Sequence, residues 1–241
     1  MKNNSGTADA TELSAVIFDV DGTLVDSNEF HVRAWVEAFR QYGKTVNPAD
    51  VRPQIGKGGD EVMPEFLTAG ELRRFGEELD ADRARLFAEE YLPRVRPFPC
   101  VKELFRRIKD DGLLIALASS SKEQEVDHHK KALQIEDLID AATSSDDAKR
   151  SKPNPDIFLA ALEKLGHVPP EEAITVGDSP WDVLAATKAG MRAIGVLTGG
   201  FSREELLNAG AIEVYASVEE LFENYERSVL HVRAPHHAPC K

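Results

Sequence analysis

Asp19 and Asp21 stand one residue apart at the end of an apolar run, in the stretch AVIFDVDGT at 15–23. On an extended chain residues two apart face the same side, so both carboxylates are directed at one spot where the strand expires. Asp178 ends a second apolar run, EAITVGD at 172–178, and Ser119 and Ser120 end a third, GLLIALASS at 112–120. In α/β sheets ligands gather at the carboxyl ends of strands, so chemistry is expected at these positions. Carboxylates crowded at the edge of an apolar core repel one another unless a proton is shared or a cation binds. Oxygen ligands favour a hard ion, and Mg²⁺ keeps several waters while taking one or two carboxylates plus phosphate oxygens. Asp-Gly and Gly-Asp pairs also form turns and caps, a reading that suits one of these aspartates better than all three. Gly22 permits a sharp departure and a close approach of backbone to ligand. Lys152, in SKPNPDIF at 151–158, precedes the helix leading to the Asp178 strand. A lysine there is either an ordinary solvated cation or one that neutralises a phosphate or an aspartate.

The elements that must position these residues follow from periodicity. Uninterrupted apolar runs at 14–19, 112–120 and 172–178, separated by helical stretches, are strands buried on both faces of a parallel sheet. Further strands are expected at 139–142, 191–197 and 211–215. The stretch VKELFRRIK at 101–109 has Val101, Leu104, Phe105 and Ile108 at helical spacing, with Asp111-Gly112 as its stop. Residues 155–165 form a second such helix, with Ile157, Leu159, Ala161 and Leu162 facing inward and Gly166 ending it. The fold class is therefore α/β, a Rossmann-like doubly wound parallel sheet.

About 90 residues separate the first two of the long apolar runs, far more than a crossover needs. Residues 28–42 read as an amphipathic helix, with Asp26 and Glu29 at capping-box spacing, and 71–91 as another long helix. The insertion, 27–93, is expected to be an all-helical cap on a core of 14–26 and 94–228. Its hinges are placed at 25–27 and 92–97, the latter overlapping the proline-rich PRVRPFP at 93–99. Residues 1–13 and 229–241 are expected to be disordered tails, the second ending in HVRAPHHAPCK with three of the seven histidines.

The chain carries 29 Lys and Arg against 42 Asp and Glu, a formal charge of -13, which disfavours nucleic acid as a partner. Two distant cysteines, Cys100 and Cys240, suggest neither a disulfide framework nor a cysteine metal site. No signal peptide and no membrane-length apolar run is seen, so a cytoplasmic monomer or homodimer without membrane partners is expected.

With these residues in view, the sequence resembles the haloacid dehalogenase-like hydrolase superfamily, in the subgroup with a helical cap after the first strand. DVDGT at 19–23 is similar to the family's first motif, the serine ending ALAS (Ser119) to the second, Lys152 to the third and GDSPWD at 177–182 to the fourth. The resemblance runs from about residue 15 to 222. It implies a Mg²⁺-dependent phosphatase acting on a small phosphorylated metabolite. Asp19 would be the nucleophile that takes the phosphoryl group, and Asp21 the general acid and base. Ser119 would hydrogen-bond the phosphate, and Lys152 would hold it and offset the charge of Asp19. Asp19, the Asp21 backbone carbonyl and Asp178 would ligate Mg²⁺, with Asp182 at or beside the metal. Backbone amides near Gly22 and Ser120 would add positive field. Dehalogenase members lack the acid at the position of Asp21, so carbon–halogen cleavage is disfavoured.

Within the superfamily, the phosphoglycolate phosphatase-like and β-phosphoglucomutase-like enzymes are nearest. DSNEFHVRAW at 26–35 and SSSK at 119–122 resemble mutase segments. His31 then either couples cap closure to chemistry or is a packing residue. Against the mutase, Gly177-Asp178 replaces two successive acids, and IGKGGDE at 55–61 has no arginine where that enzyme clamps a second phosphate. Lys57 and Gly58 either reach the substrate as a specificity loop or form a turn between helices. A catalytically idle binding protein is the remaining alternative, disfavoured because an idle scaffold has no need to crowd carboxylates.

Overall fold

The computed structural model describes residues 13–232. Its centre is β1 (Ala15–Phe18), whose four side chains are all buried. A short β2 (Val25–Asp26) follows, and β3 (Arg96–Pro97) pairs with it antiparallel. The ribbon thus takes in 25–26 of the first expected hinge and 96–97 of the second, whose first part, Leu92–Arg94, is a 3-10 turn. The remaining strands are β4 (Leu114–Ala118), β5 (Ala141–Thr143), β6 (Ala173–Gly177), β7 (Arg192–Val196) and β8 (Glu213–Tyr215). They form a six-stranded parallel sheet with β1 in the order β5-β4-β1-β6-β7-β8. The order reverses beside β1, which places a switch-point crevice at the ends of β1, β4 and β6.

Between β2 and β3 lies the cap: α1 (Asn28–Gln41), the short turns α2 (Pro48–Val51), α3 (Gly59–Val62) and α4 (Ala69–Glu71), and α5 (Glu77–Leu86). It has its own apolar core, in which Trp35, Phe39, Val62 and Leu79 meet. The single long helix expected over 71–91 is interrupted by two π segments, Leu72–Gly76 and Phe87–Tyr91, which shift the helical register around α5. The capping box expected from Asp26 and Glu29 does not form. The helix begins at Ser27 without a side-chain cap, because Ser27 Oγ donates to Asp21 and Glu29 pairs with Arg33 and Arg52.

The core helices are α6 (Val101–Asp110), α7 (Glu123–Leu133), α8 (Asp156–Lys164), α9 (Pro180–Lys188), α10 (Arg203–Ala209) and α11 (Val218–Glu223). Alternation along β1 divides the core: Val16 and Phe18 pack with residues of α6, α7 and α11, whereas Ala15 and Ile17 pack with residues of α8, α9 and α10. This is why the strand reads as a continuous apolar run. In α8 the buried stripe is Ile157, Phe158, Ala161 and Leu162. Leu159, expected inward, is 45% exposed, since it stands two residues from Ile157 and so on the far side of the helix.

Residues 229–232, assigned from sequence to the tail, pack on the core. Leu230 is fully buried, and His231 Nδ1 lies 3.3 Å from Asp111 Oδ2. Leu13, also assigned to a tail, is buried against the same core, and the rest of the expected tails, 1–12 and 233–241, lies outside the described residues. Among the described residues no helix is long and apolar enough to cross a membrane.

Candidate active site

Asp19 and Asp21 follow β1 directly, beyond the last residue paired with β4 and β6. Gly22 turns the chain with φ +79°, and a Cβ there would collide with Asn28 and Asp178, so glycine is needed for both conformation and space. The turn returns Thr23 to the site. Its hydroxyl lies 3.1 Å from Asp19 Oδ2 and 3.2 Å from Asp178 Oδ1, and Asn28 Nδ2 donates to Asp178 Oδ2 at 2.8 Å.

Lys152 is fully buried, with Nζ 2.5 Å from Asp19 Oδ1, 2.8 Å from Asp182 Oδ1 and 3.1 Å from the Ala118 carbonyl. Burial alone would make its ammonium easier to deprotonate, but Asp182 and Asp19 outweigh that and hold its pKa above the ordinary lysine value. Asp182 caps α9: Ser179 N and Oγ both donate to its Oδ2, and its Oδ1 faces Lys152. Both of its oxygens are therefore engaged within the protein.

Asp19, Asp178 and Asp182 each offer an oxygen within 4.8 Å of the others, all three being buried. Burial, opposed by Lys152 and reinforced by Asp182, pushes the Asp19 carboxyl from 3.8 up to about 7. Burial together with Asp19 and Asp182 raises Asp178 as well. One lysine does not neutralise three carboxylates in a dry site, and the buried Asn28 Oδ1 has no hydrogen-bond partner. An all-oxygen donor set with unbalanced negative charge fits a hard divalent cation.

Asp21 points the other way. Its Oδ1 accepts from Ser27 Oγ at 2.7 Å and lies 3.0 Å from His31 Nε2, while its Oδ2 accepts from Ser121 Oγ at 2.8 Å. Burial raises its pKa, but His31, His129 and Ser27 together outweigh burial and hold it well below the ordinary carboxylate range. Ser119 is fully buried with its hydroxyl 3.5 Å from Asp21 Oδ2, and the Ser121 amide donates to it at 3.0 Å. His31 stacks on Phe87 of the cap at 3.9 Å between ring centroids.

The cleft between cap and core is lined by Asp19, Asp21, His31, Lys57, Gly58 and Ser120, together with Arg83 and Ser121. Of the sequence-predicted positions, Asp19, Asp21, His31, Lys57, Gly58 and Ser120 line this crevice, whereas Ser119, Lys152 and Gly22 do not line it and lie behind it, against Asp21, Asp19 and Asp178 respectively. Lys57 is directed sideways: its Nζ donates to Gln54 at 2.6 Å, pairs with Glu65 at 3.2 Å and lies 4.2 Å from the Trp181 ring centroid. The Trp181 indole N–H donates to the Pro53 carbonyl at 2.9 Å, clasping the cap to the motif that carries Asp178. Trp181→Phe keeps the ring and removes that bond. A roughly 2- to 10-fold rise in KM with little change in kcat is expected from steady-state kinetics.

Thr23, Ser27, Asn28, Arg83, Ser121 and His129 were not singled out from sequence. Thr23 and Ser121 adjoin the motifs and were findable by proximity. Arg83 and His129 sit mid-helix, where no local pattern marks them.

Buried like charges held together at strand ends are a cost that a structural scaffold has no cause to bear, and the fold and site together define a hydrolase of the phosphatase type. The sequence pattern of the haloacid dehalogenase-like hydrolase family matches residues 16–196, and the chain belongs to that family. It is 30% identical over 214 residues to the phosphorylated carbohydrates phosphatase of Thermotoga maritima, covering 87% of this chain and 97% of the relative. It is 37% identical over 199 residues to the Arabidopsis thaliana protein suppressor of quenching 1, chloroplastic, covering 80% of this chain but only 18% of that much longer protein. Among solved structures, a hydrolase from Pseudomonas syringae aligns with a TM-score of 0.80 at 30% identity, over 89% of this chain and 98% of that one.

Proposed function

We propose that this phosphatase hydrolyses a small phosphorylated metabolite, a phosphomonoester, with Mg²⁺ and through an aspartyl-phosphate on Asp19. The observation that carries the reading is the pairing of Asp19 with the buried Lys152 at 2.5 Å beside Asp178. Similarity to a phosphatase of phosphorylated carbohydrates supports the substrate class.

Asp19, the Asp21 backbone carbonyl and Asp178 would hold Mg²⁺, which supplies charge neutralisation and polarises a phosphate oxygen. Lys152, anchored by Asp182, offsets charge on Asp19 and on the transferring phosphoryl group. Ser119 and the amides near Gly22 and Ser120 orient the equatorial oxygens. An Asp19 oxygen attacks phosphorus, the ester P–O bond breaks, and Asp21 gives its proton to the departing alkoxide. Asp21 then takes a proton from water as that water attacks the aspartyl-phosphate, releasing phosphate and restoring Asp19. Held by Ser27, His31 and Ser121, Asp21 is the carboxylate that the second step requires. Turned toward substrate it leaves those partners, and its affinity for a proton rises.

The cap reaches the core through Pro53, Asp60 and Glu61, whose acceptors meet Trp181, the Ser151 amide and Asn154. Those contacts are the ones that must break and reform if substrate enters by lifting of the cap. A phosphosugar mutase reading keeps the same Asp19 and Asp21 steps but returns the phosphoryl group to a second hydroxyl. Incubation with a hexose 1-phosphate and a trace of its bisphosphate separates the two, since only a mutase yields the 6-phosphate.

Metal binding has a test independent of turnover. Asp19, raised from 3.8 to about 7, and the raised Asp178 keep protons in the native state that the unfolded chain releases. These groups therefore make the metal-free protein lose stability as pH rises from about 4 to about 7, the native state binding more protons there. Mg²⁺ competes with those protons. The rise in Tm on adding Mg²⁺ should be small near about pH 5 and largest above about pH 7. An equal rise at both contradicts a site at Asp19 and Asp178.

A further inference from the structure

His129 lies on α7, in the core, and takes no part in the steps above. It is 1% exposed, and its Nε2 is buried without a hydrogen-bond partner. An unpaired buried polar atom costs about 1–3 kcal/mol, so its placement calls for a cause. The carboxylate it faces is Asp21, whose Oδ1 lies 3.7 Å away.

That oxygen is approached by two histidines belonging to different bodies. His31 is on α1 and stacks on Phe87, so it travels with the cap. His129 is fixed to the core, as is Ser121, which holds the other oxygen of Asp21 at 2.8 Å. Closing the gap from 3.7 Å to hydrogen-bond length takes a shift of roughly an ångström, within reach of a side-chain rotation at Asp21.

We infer that His129 is a positioning residue for Asp21: when the cap lifts and withdraws His31, the His129 Nε2–H takes over Oδ1 and keeps the carboxylate at the crevice, ready to turn toward the substrate once the cap closes. His129 transfers no proton in this role. It preserves the orientation of the group that does, so the carboxylate need not be reset in each turnover. The inference rests on Asp21 being the general acid.

Leaving-group dependence tests it. Departure of an alkoxide requires the proton from Asp21, whereas p-nitrophenolate leaves without one. His129→Leu, which fills the space without a donor, should lower kcat/KM for an alkyl phosphate about tenfold and for p-nitrophenyl phosphate less than about twofold. His129→Gln, which restores an N–H near the Nε2 position, should recover most of the loss. If the leucine variant does not fold, His129→Met takes its place. Equal losses on both esters, no loss on either, or a glutamine variant as impaired as leucine overturns the assignment. Asp21→Asn is measured alongside. If it shows the alkyl-selective loss and His129→Leu does not, His129 alone is misassigned. If Asp21→Asn shows no selectivity, the general-acid reading fails and the His129 role falls with it.

Discussion

Asp19→Asn should abolish turnover, with kcat falling on the order of 10⁴-fold or more, while Tm at neutral pH stays level or rises. The two halves of this expectation have one cause. Asp19 is 4% exposed and sits among Asp178, Asp182 and the charge of Lys152. An amide of the same shape cannot attack phosphorus, which accounts for the loss of rate. The same amide removes one of three crowded carboxylates while leaving Lys152 its partner Asp182 at 2.8 Å, which accounts for the retained fold. Steady-state assays with p-nitrophenyl phosphate and thermal unfolding of the same preparation check both halves. A large fall in Tm would mean that Asp19 serves stability, and the loss of activity would then say nothing about a nucleophile.

Asp21→Asn should behave differently, because its carboxylate is asked to act twice. With an alkyl phosphate the loss of the general acid should lower kcat/KM by about 10²- to 10⁴-fold. With p-nitrophenyl phosphate the first step survives, and it is the second, in which Asp21 draws a proton from water, that slows. Stopped-flow recording should therefore show a burst approaching one p-nitrophenolate per chain, followed by slow release. The hydrogen bonding favours this separation: Ser27, His31 and Ser121 are bonded to Asp21, whereas Asp19 is bonded to Lys152 and Thr23. Exchanging the Asp21 carboxylate for an amide removes the charge by which Asp21 helps raise the Asp19 pKa but leaves Asp19 its hydrogen bond from Lys152. A uniform slow rate with no burst would show that Asp21 does not act after phosphoryl transfer.

The sheet was legible because β1, β4 and β6 are buried on both faces and so appear as unbroken apolar runs. The candidate catalytic positions were legible for a related reason, since each run ends where the ladder ends and the residues that follow, Asp19, Ser119 and Asp178, gather at that edge of the sheet. The errors arose where a local pattern had a distant competitor. Asp26 and Glu29 have the spacing of a cap, but Ser27, which occupies the N-cap position, gives its hydroxyl to Asp21 six residues earlier. The 71–91 helix is continuous in pattern, and only the structure shows the π segments on either side of Glu77–Leu86. His129 looks in sequence like any polar residue in EVDHHKK. Its meaning depends on α7 bringing it to Asp21, more than 100 residues earlier in the chain, which no short-range spacing encodes.

The distribution of charge explains why the molecule separates its two aspartates by orientation. They leave β1 one residue apart, yet Asp19 is turned to Lys152 and Asp21 to a histidine and two serines. Opposite surroundings move their proton affinities in opposite directions, Asp19 upward and Asp21 downward.

If the phosphoryl group rests covalently on Asp19 during turnover, as proposed, reductive trapping will show it. Borohydride reduces an acyl phosphate to an alcohol and leaves free carboxylates untouched, so enzyme quenched during turnover and mapped by peptide mass spectrometry reports which aspartate was phosphorylated. Homoserine at position 19, appearing only when substrate is present and accumulating in Asp21→Asn, is the predicted result. Turnover without reduction at position 19, or reduction at position 21 instead, would contradict it.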